Sequence, residues 1–540
     1  MIERRLAAAL VATIGVGLVA CTPAPHVAPV PVVQPLANVV PVPASMQLTG
    51  GPPFVFDSTT QVIVDPTANW EAERIGSLLA SMVRVHPVES AIGTPALSGR
   101  RDVRARRLQP GESAPPRAVR LVLDPVRTSL GQEGYELSVD ATGVTLVAAA
   151  PNGLFYGVQT IRQLLPASVE HRDALARRLQ LPAGHIVDTP RFAWRGAMLD
   201  VSRHFLDAEG VRRFIDLMAL YKMNRLHLHL SDDQGWRLEI KRWPNLARFG
   251  GITEVGGGEA GFYSQDEFRD LITYARNRFI QIVPEFEIPA HINAALSAIP
   301  ELNCDGIATP AYTGINVGFS AICAQKDDVY RIIDEIIGEV ADLSPSPWLH
   351  IGGDEVQKLT HAEYARFVER VEQIVRAHGK QMIGWGEIAA TNVTPNAIAQ
   401  HWIPDSASRH VARGGKVIMS PSARVYLDMK YDSSTTLGLT WAGLISVRQS
   451  YSWDPGTLRP GVPEASILGV EAPLWSETLE RLSDYEFMAF PRLAAVAEVA
   501  WSVQSSRDWD GFRARLGAHG ARLRALGVNF YPDPDIPWAR

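Results

Sequence analysis

Residues 194–230 open with Trp194-Arg-Gly-Ala-Met-Leu-Asp-Val-Ser-Arg-His204, run on through Val211 to Tyr221, and close on Leu226-His-Leu-His-Leu230. A short apolar run, a stretch with apolar residues at helical spacing and a second apolar run are the strand–helix–strand unit of a parallel sheet. The first two strands are expected at Ala197–Val201 and Leu226–Leu230. The same rhythm puts six more at Ile280–Val283, Trp348–Ile351, Met382–Gly384, Ile398–Gln400, Val417–Met419 and Ile467–Val470. Helical stretches lie between several of them, at Val211 to Tyr221, Asp266 to Arg278 and Val329 to Asp342. Eight strands with crossovers predict an α/β chain whose residues 189–540 form a (β/α)8 barrel with enlarged loops.

Outward from the barrel, residues 46–188 read as a small α+β accessory domain. Tyr135, Leu137 and Val139 alternate with polar residues, Asp140 to Gly143 turn the chain, and Val144 to Val147 resume it, which is a hairpin signature. Asn152-Gly153 then opens a helical run carrying Leu154, Phe155, Val158, Ile161 and Leu165, stopped by Pro166. Residues 22–45 are dense in Pro, Val and Ala and are expected to be an extended tether. Residues 1–21 read as an export signal: Arg4 and Arg5 precede an apolar Leu6 to Ala20. The ending Leu18-Val-Ala-Cys21 resembles a bacterial lipobox, which makes Cys21 the expected lipidation site and the protein a lipid-anchored resident of the cell envelope. A plain secretory signal or a simple membrane anchor is the alternative.

The 540 residues are 46% hydrophobic and 20% charged with a formal net charge of -6, which offers no basic surface for nucleic acid. The basic run Arg100, Arg101, Arg104, Arg106 and Arg107 sits among Ser, Gly and Pro and is expected to be a solvated loop. Besides Cys21 the chain has Cys304 and Cys323. In an oxidising compartment a disulfide between them is expected; a metal site is disfavoured, since neither lies in a CxxC or near a His at ligand spacing.

In a (β/α)8 barrel, chemistry gathers at the C-terminal ends of the strands. The first strand ends in Asp200 and Arg203, and the second in His227, His229 and Asp232. The third ends in Glu285, Glu287 and His291, and the fourth in His350-Ile-Gly-Gly-Asp354-Glu355. Later strands add Trp385, Trp402, Tyr426 with Asp428, and Trp475 with Glu477. Acids, one arginine and several aromatics on one rim suit a carbohydrate, whose hydroxyls seek charged partners and whose C–H faces stack on rings.

The blocks Trp194 to His204, His227 to Lys241, His350 to Glu355, Tyr426-Leu-Asp428 and Leu474-Trp-Ser-Glu477 together resemble the β-N-acetylhexosaminidases of glycoside hydrolase family 20. The resemblance covers everything after the tether. It implies exo-acting removal of terminal, non-reducing β-linked GlcNAc or GalNAc, without a cofactor and with retention of configuration. Families with a substrate-assisted mechanism need no carboxylate nucleophile. The resemblance thus makes Glu355 the acid/base and Asp354 the group that aims the substrate's acetamido oxygen at the anomeric carbon, and repulsion between the two raises one pKa. It further implies that Arg203, Asp428 and Glu477 hold sugar hydroxyls and that Trp385, Trp402 and Trp475 wall the ring and the acetamido methyl. Tyr426 donates to the acetamido carbonyl, while Asp232, His229 and His291 support the rim and orient Glu355. The chain departs from the family with Glu287 and Ala290 where Asp and Gly are usual. The spacing from Glu287 to His291 is kept, so Glu287 is expected to orient that imidazole. The alternatives are a metal-dependent barrel hydrolase using His227 and His229, which are otherwise expected to face one inward and one outward, and a non-catalytic sugar-binding lipoprotein.

Overall fold

The computed structural model describes residues 38–57, 60–83, 105–170, 179–404 and 406–539. Eight parallel strands close into a barrel in chain order. They are β1 (Trp194–Asp200), β2 (Arg225–His229), β3 (Gln281–Glu285), β4 (Trp348–His350), β5 (Gln381–Trp385), β6 (Ile398–His401), β7 (Lys416–Met419) and β8 (Ile467–Leu474). Every expected strand overlaps one of these. The crossover helices begin where local chemistry satisfies their free backbone N–H groups. Asp207 caps Ala208–Leu220, and a reciprocal Ser264/Glu267 capping box opens Gln265–Arg276. Asp327–Leu343 and His361–Ala377 flank β4. The alternation lapses between β5 and β6, where Gly386–Ala390 makes only a 3-10 turn. Between β7 and β8 it is reduced to the short helices Ser422–Val425, Val447–Tyr451 and Pro455–Leu458.

Alternate side chains of each strand fill the barrel, and they do so in layers. One layer is apolar, with Trp194, Val283, Ile383, Ile398 and Ile418. The layer above it is polar and fully buried: His227, Glu285, His350, Gln400 and Glu471. The top layer is Met198 with Trp385, Trp402, Tyr426 and Trp475. Gly196 makes room for the polar layer, because a Cβ there would lie 2.4 Å from Glu471 Oε2. His227 and His229 both turn into the barrel, which corrects the expected one-in, one-out arrangement. Strand residues two apart share a face.

The accessory domain is a seven-stranded sheet in the spatial order 45–48, 184–188, 135–140, 143–148, 118–123, 61–64 and 106–107. The expected hairpin is the 135–140/143–148 pair. Helices Trp70–Met82 and Pro151–Leu164 pack on this sheet and on each other. Ion pairs join the domain to the barrel, Lys222 to Asp188 at 2.9 Å, fully buried, and Arg195 to the half-buried Glu133 at 2.8 Å. Two expectations need correction here. Residues 38–44 of the supposed tether are docked: Val39 and Val40 are fully buried and the Val42 N–H donates to Glu498. Pro-rich sequence cannot form a core of its own, but apolar residues within it can fill someone else's. Arg106 and Arg107 form a short exposed edge strand rather than a loop, paired with Glu112 and Glu73. Cys21, residues 22–37 and Arg100, Arg101 and Arg104 lie outside the described residues. Among the described residues no helix is long and apolar enough to cross a membrane.

Candidate active site

The turn after β4 sets the geometry of the site. Gly352, Gly353 and Glu355 take φ of +67°, +91° and +49°, a left-handed conformation open to glycine and strained for other residues. The space a side chain would need at Gly352 is taken: a Cβ there would lie 1.7 Å from Glu287 Oε2. The Gly353 N–H donates to the same carboxyl group at 3.3 Å, and Tyr364 OH donates to the Gly353 carbonyl at 2.7 Å. So clamped, the turn sends its two acids to different environments. Asp354 is buried, whereas the Glu355 side chain is 34% exposed. Burial lifts the Asp354 carboxyl to about 6; His291 opposes this, and Glu355 and Glu285 add to it.

A chain of contacts reaches Glu355 from behind. His291 Nε2 stands 3.3 Å from Glu355 Oε2 and 4.0 Å from Asp354 Oδ2. Its Nδ1 bonds to Asp232 Oδ1 at 3.3 Å. Asp232 also takes Arg203 at 2.7 Å and His229 Nε2 at 3.0 Å. Burial would neutralise Asp232, but the charges of Arg203 and then His291 hold it far below the usual carboxylate range. Burial likewise works against a charged His291, and Asp232 above all keeps its pKa well above the ordinary value. The expected Glu287–His291 orientation is therefore corrected: Asp232 is the imidazole's partner. Glu287 instead fills the space over Gly352 and stands 4.0 Å from His229. Burial first, then the charges of Asp354, Glu285 and Asp232, raise the Glu287 carboxyl well above the carboxylate range.

Over this machinery lies an aromatic box. Trp402 stacks on Tyr426 with ring centroids 6.1 Å apart and planes at 14°. Trp385 sits 5.6 Å from Trp475 and 6.4 Å from Trp402. Arg203 lies over the Trp475 ring at 4.8 Å. Asp428 is buried, and neither of its carboxylate oxygens, nor Glu477 Oε2, meets a hydrogen-bond donor among the described residues. Burial and the Glu477 charge push Asp428 well above the carboxylate range; burial also raises Glu477, against the pull of Arg203. Buried acceptors without partners are what sugar hydroxyls satisfy. Sequence reasoning missed Trp441, which is 53% exposed and meets Trp402 and Tyr426 edge-on at 5.9 and 5.5 Å. It sits deep in the β7–β8 connector, away from any strand end, and no local pattern marks it. Cys304 and Cys323 form a disulfide. The loop it closes is fastened to the site: Ser320 donates to Asp233, and Gln234 to the Gly314 carbonyl at 2.7 Å.

A family model described as glycosyl hydrolase family 20, catalytic domain, matches residues 192–365 and 357–504, and one described as domain 2 of that family matches 36–189. The chain belongs to glycosyl hydrolase family 20. It is 39% identical over 509 residues to a β-N-acetylhexosaminidase of Cellulomonas fimi, covering 94% of this chain and 98% of that relative. The family 20 β-N-acetylhexosaminidase of Streptomyces coelicolor A3(2) superposes with a TM-score of 0.87 at 44% identity, over 94% of this chain and 100% of that one. Two mutants of the β-hexosaminidase of Streptomyces plicatus, each solved in complex with product (GlcNAc), superpose with TM-scores of 0.87 and 0.86 at 44% identity, over 95% of this chain and 99% of theirs. The family 20 chain is thus a glycosidase, an exo-acting β-N-acetylhexosaminidase.

Proposed function

We propose that this enzyme works by substrate assistance, with Glu355 as acid/base and Asp354 holding the acetamido group. The observation that carries the reading is the split of two adjacent acids, one buried beside the aromatic box and one at the mouth against His291. The acetamido carbonyl oxygen attacks the anomeric carbon while the bond to the leaving oxygen breaks, and Glu355 gives that oxygen its proton. Asp354, ionised above about pH 6, accepts the acetamido N–H and balances the positive charge of the resulting oxazolinium. Glu355 then takes a proton from water as the water oxygen attacks the same carbon and reopens the ring. Two displacements at one centre retain the configuration.

In this reading Trp385, Trp402 and Trp475 enclose the ring and the acetamido methyl, Tyr426 donates to the acetamido oxygen, and Arg203, Asp428 and Glu477 hold hydroxyls. The substrate class is GlcNAc-terminated glycans, a choice supported by the GlcNAc product bound to the Streptomyces plicatus relative. NMR of the first-formed sugar from an aryl β-N-acetylglucosaminide tests the mechanism. The β-anomer is expected, and an initial α-anomer rules the mechanism out. The metal-hydrolase alternative loses support because His229 meets carboxylates at both ring nitrogens, Glu285 at 2.5 Å and Asp232 at 3.0 Å, and its pKa, raised to about 9, keeps both protonated at neutral pH.

We further infer export and lipidation at Cys21. Support comes from the Arg4/Arg5 and Leu6–Ala20 leader pattern and from the Cys304–Cys323 disulfide, since such bonds persist in oxidising compartments. An acyl mass on the N-terminal peptide of protein taken from membranes is expected; an unmodified Cys21 or an uncleaved leader refutes it.

A further inference from the structure

Glu285 ends β3 inside the barrel, fully buried, and the mechanism above gives it no role. The parallel register aligns it with His229 on β2 and His350 on β4. Its Oε2 lies 2.5 Å from His229 Nδ1 and 2.9 Å from His227 Nε2. Its Oε1 lies 2.7 Å from His350 Nδ1 and takes the Trp385 indole N–H at 3.0 Å. Glu287, whose carboxyl Glu285 helps to raise above the ordinary range, bears on it from its own strand end, and Glu471 of β8 binds the far side of His227 at 2.8 Å. From Glu285 the contacts run unbroken to Glu355 through His229, Asp232 and His291, at 2.5, 3.0, 3.3 and 3.3 Å.

We propose that Glu285 is a positioning residue for the reaction, anchoring from the barrel core both the His229–Asp232–His291 chain that ends on Glu355 and the Trp385 wall of the sugar pocket. The proposal rests on Glu355 being the acid/base. Burial alone would discharge His229; Glu285, with Asp232, instead raises its pKa to about 9, so it donates from both nitrogens at neutral pH. Asp232 then keeps one oxygen on His229 and Arg203 and turns the other to His291. Without the Glu285 charge, His229 sheds a proton at lower pH, Asp232 loses a fixed donor, and the imidazole facing Glu355 loses its orientation. Outer partners of this kind typically contribute about 10–100-fold in activity where they have been removed from metal sites.

The test compares Glu285→Gln, which keeps the size and an acceptor for Trp385, with His229→Gln, which breaks the chain one contact further on. The readout is kcat/KM against pH for chitobiose and for a dinitrophenyl N-acetylglucosaminide, with Glu355→Gln alongside. Glu285→Gln is expected to lose about 10–100-fold on chitobiose and much less on the activated glycoside. Its alkaline limb on chitobiose should move down by about one pH unit or more. His229→Gln should show the same substrate split, and it carries the test if Glu285→Gln does not fold. Equal losses on both substrates, or an unmoved limb and no loss, overturn the proposal. A Glu355→Gln profile indifferent to the leaving group overturns the acid/base reading itself, a result distinct from a steep Glu355→Gln with a flat Glu285→Gln.

Discussion

Replacing Gly352 with alanine tests whether the catalytic turn is held by the fit between Gly352 and Glu287. Two costs add. A non-glycine residue at φ +67° costs about 1–2 kcal/mol. A methyl 1.7 Å from Glu287 Oε2 forces a buried side chain aside, at about 1–3 kcal/mol. Gly352→Ala should therefore lose about 2–5 kcal/mol in urea unfolding, and kcat/KM should fall because Glu287 pushes on the Asp354–Glu355 turn. Glu287→Ala leaves the Gly353 N–H without its acceptor, which costs about 1–3 kcal/mol. The double variant is the decisive arm. With the carboxyl gone the clash goes too, so the double should be more stable than the sum of the singles by about 1–3 kcal/mol, leaving the backbone strain and the unpaired Gly353 N–H. Strict additivity, or a Gly352→Ala loss below about 1 kcal/mol, would show that the close approach is not what fixes the turn.

Further outcomes follow from the same geometry. Asp354 has its carboxyl raised from the usual 3.8 to about 6 in the folded state, so its contribution to stability is full below the unfolded value and lost as pH rises through about 6. Asp354→Asn should thus be more stable than the parent at pH 7, by up to about 3 kcal/mol, with the gap closing below about pH 4; a gap that does not change between pH 4 and 7 contradicts the raised value. Asp428→Ala should raise KM about 10–100-fold, the worth of a sugar hydroxyl left unpaired in a buried pocket, with no loss of melting temperature at pH 7. An unchanged KM would mean that the empty acceptors of Asp428 do not meet substrate. Peptide mapping without reductant should give one cross-linked peptide carrying Cys304 and Cys323; alkylated free thiols in the isolated enzyme would refute the pairing.

The barrel was legible because each strand announces itself as a short apolar run and three of the crossover helices as a 3.6-residue rhythm, although the equally long His361–Ala377 was not read. The site residues at the strand ends followed from the fold rule, and Arg203, Asp232, His291, Asp354 and Glu355 do come together. What the sequence hid was pairing. Glu287 and His291 share a suggestive spacing, yet Asp232 from another strand is the imidazole's partner, because contacts across a barrel depend on register and not on distance along the chain. Trp441 was invisible since an irregular connector carries no periodicity to place it. Glu285 was seen as a strand-end acid, but only the neighbouring strands reveal three histidines and an indole gathered on it. The docking of Val39 and Val40 was hidden for a related reason: composition describes a segment alone, and their burial depends on distant residues such as Gln163 and Glu498.

The division of labour between the two adjacent acids is tested most directly by kcat/KM of Glu355→Gln and Asp354→Asn across glycosides of graded leaving-group pKa. General acid catalysis contributes on the order of 10²–10⁴ in rate, and most where the departing oxygen leaves poorly. Glu355→Gln should therefore show a steep dependence, crippled on chitobiose and nearly intact on an activated nitrophenyl glycoside. Asp354→Asn should lose activity by a similar factor on every substrate, because positioning the acetamido oxygen is common to all. A flat profile for Glu355→Gln with a steep one for Asp354→Asn would contradict the assignment.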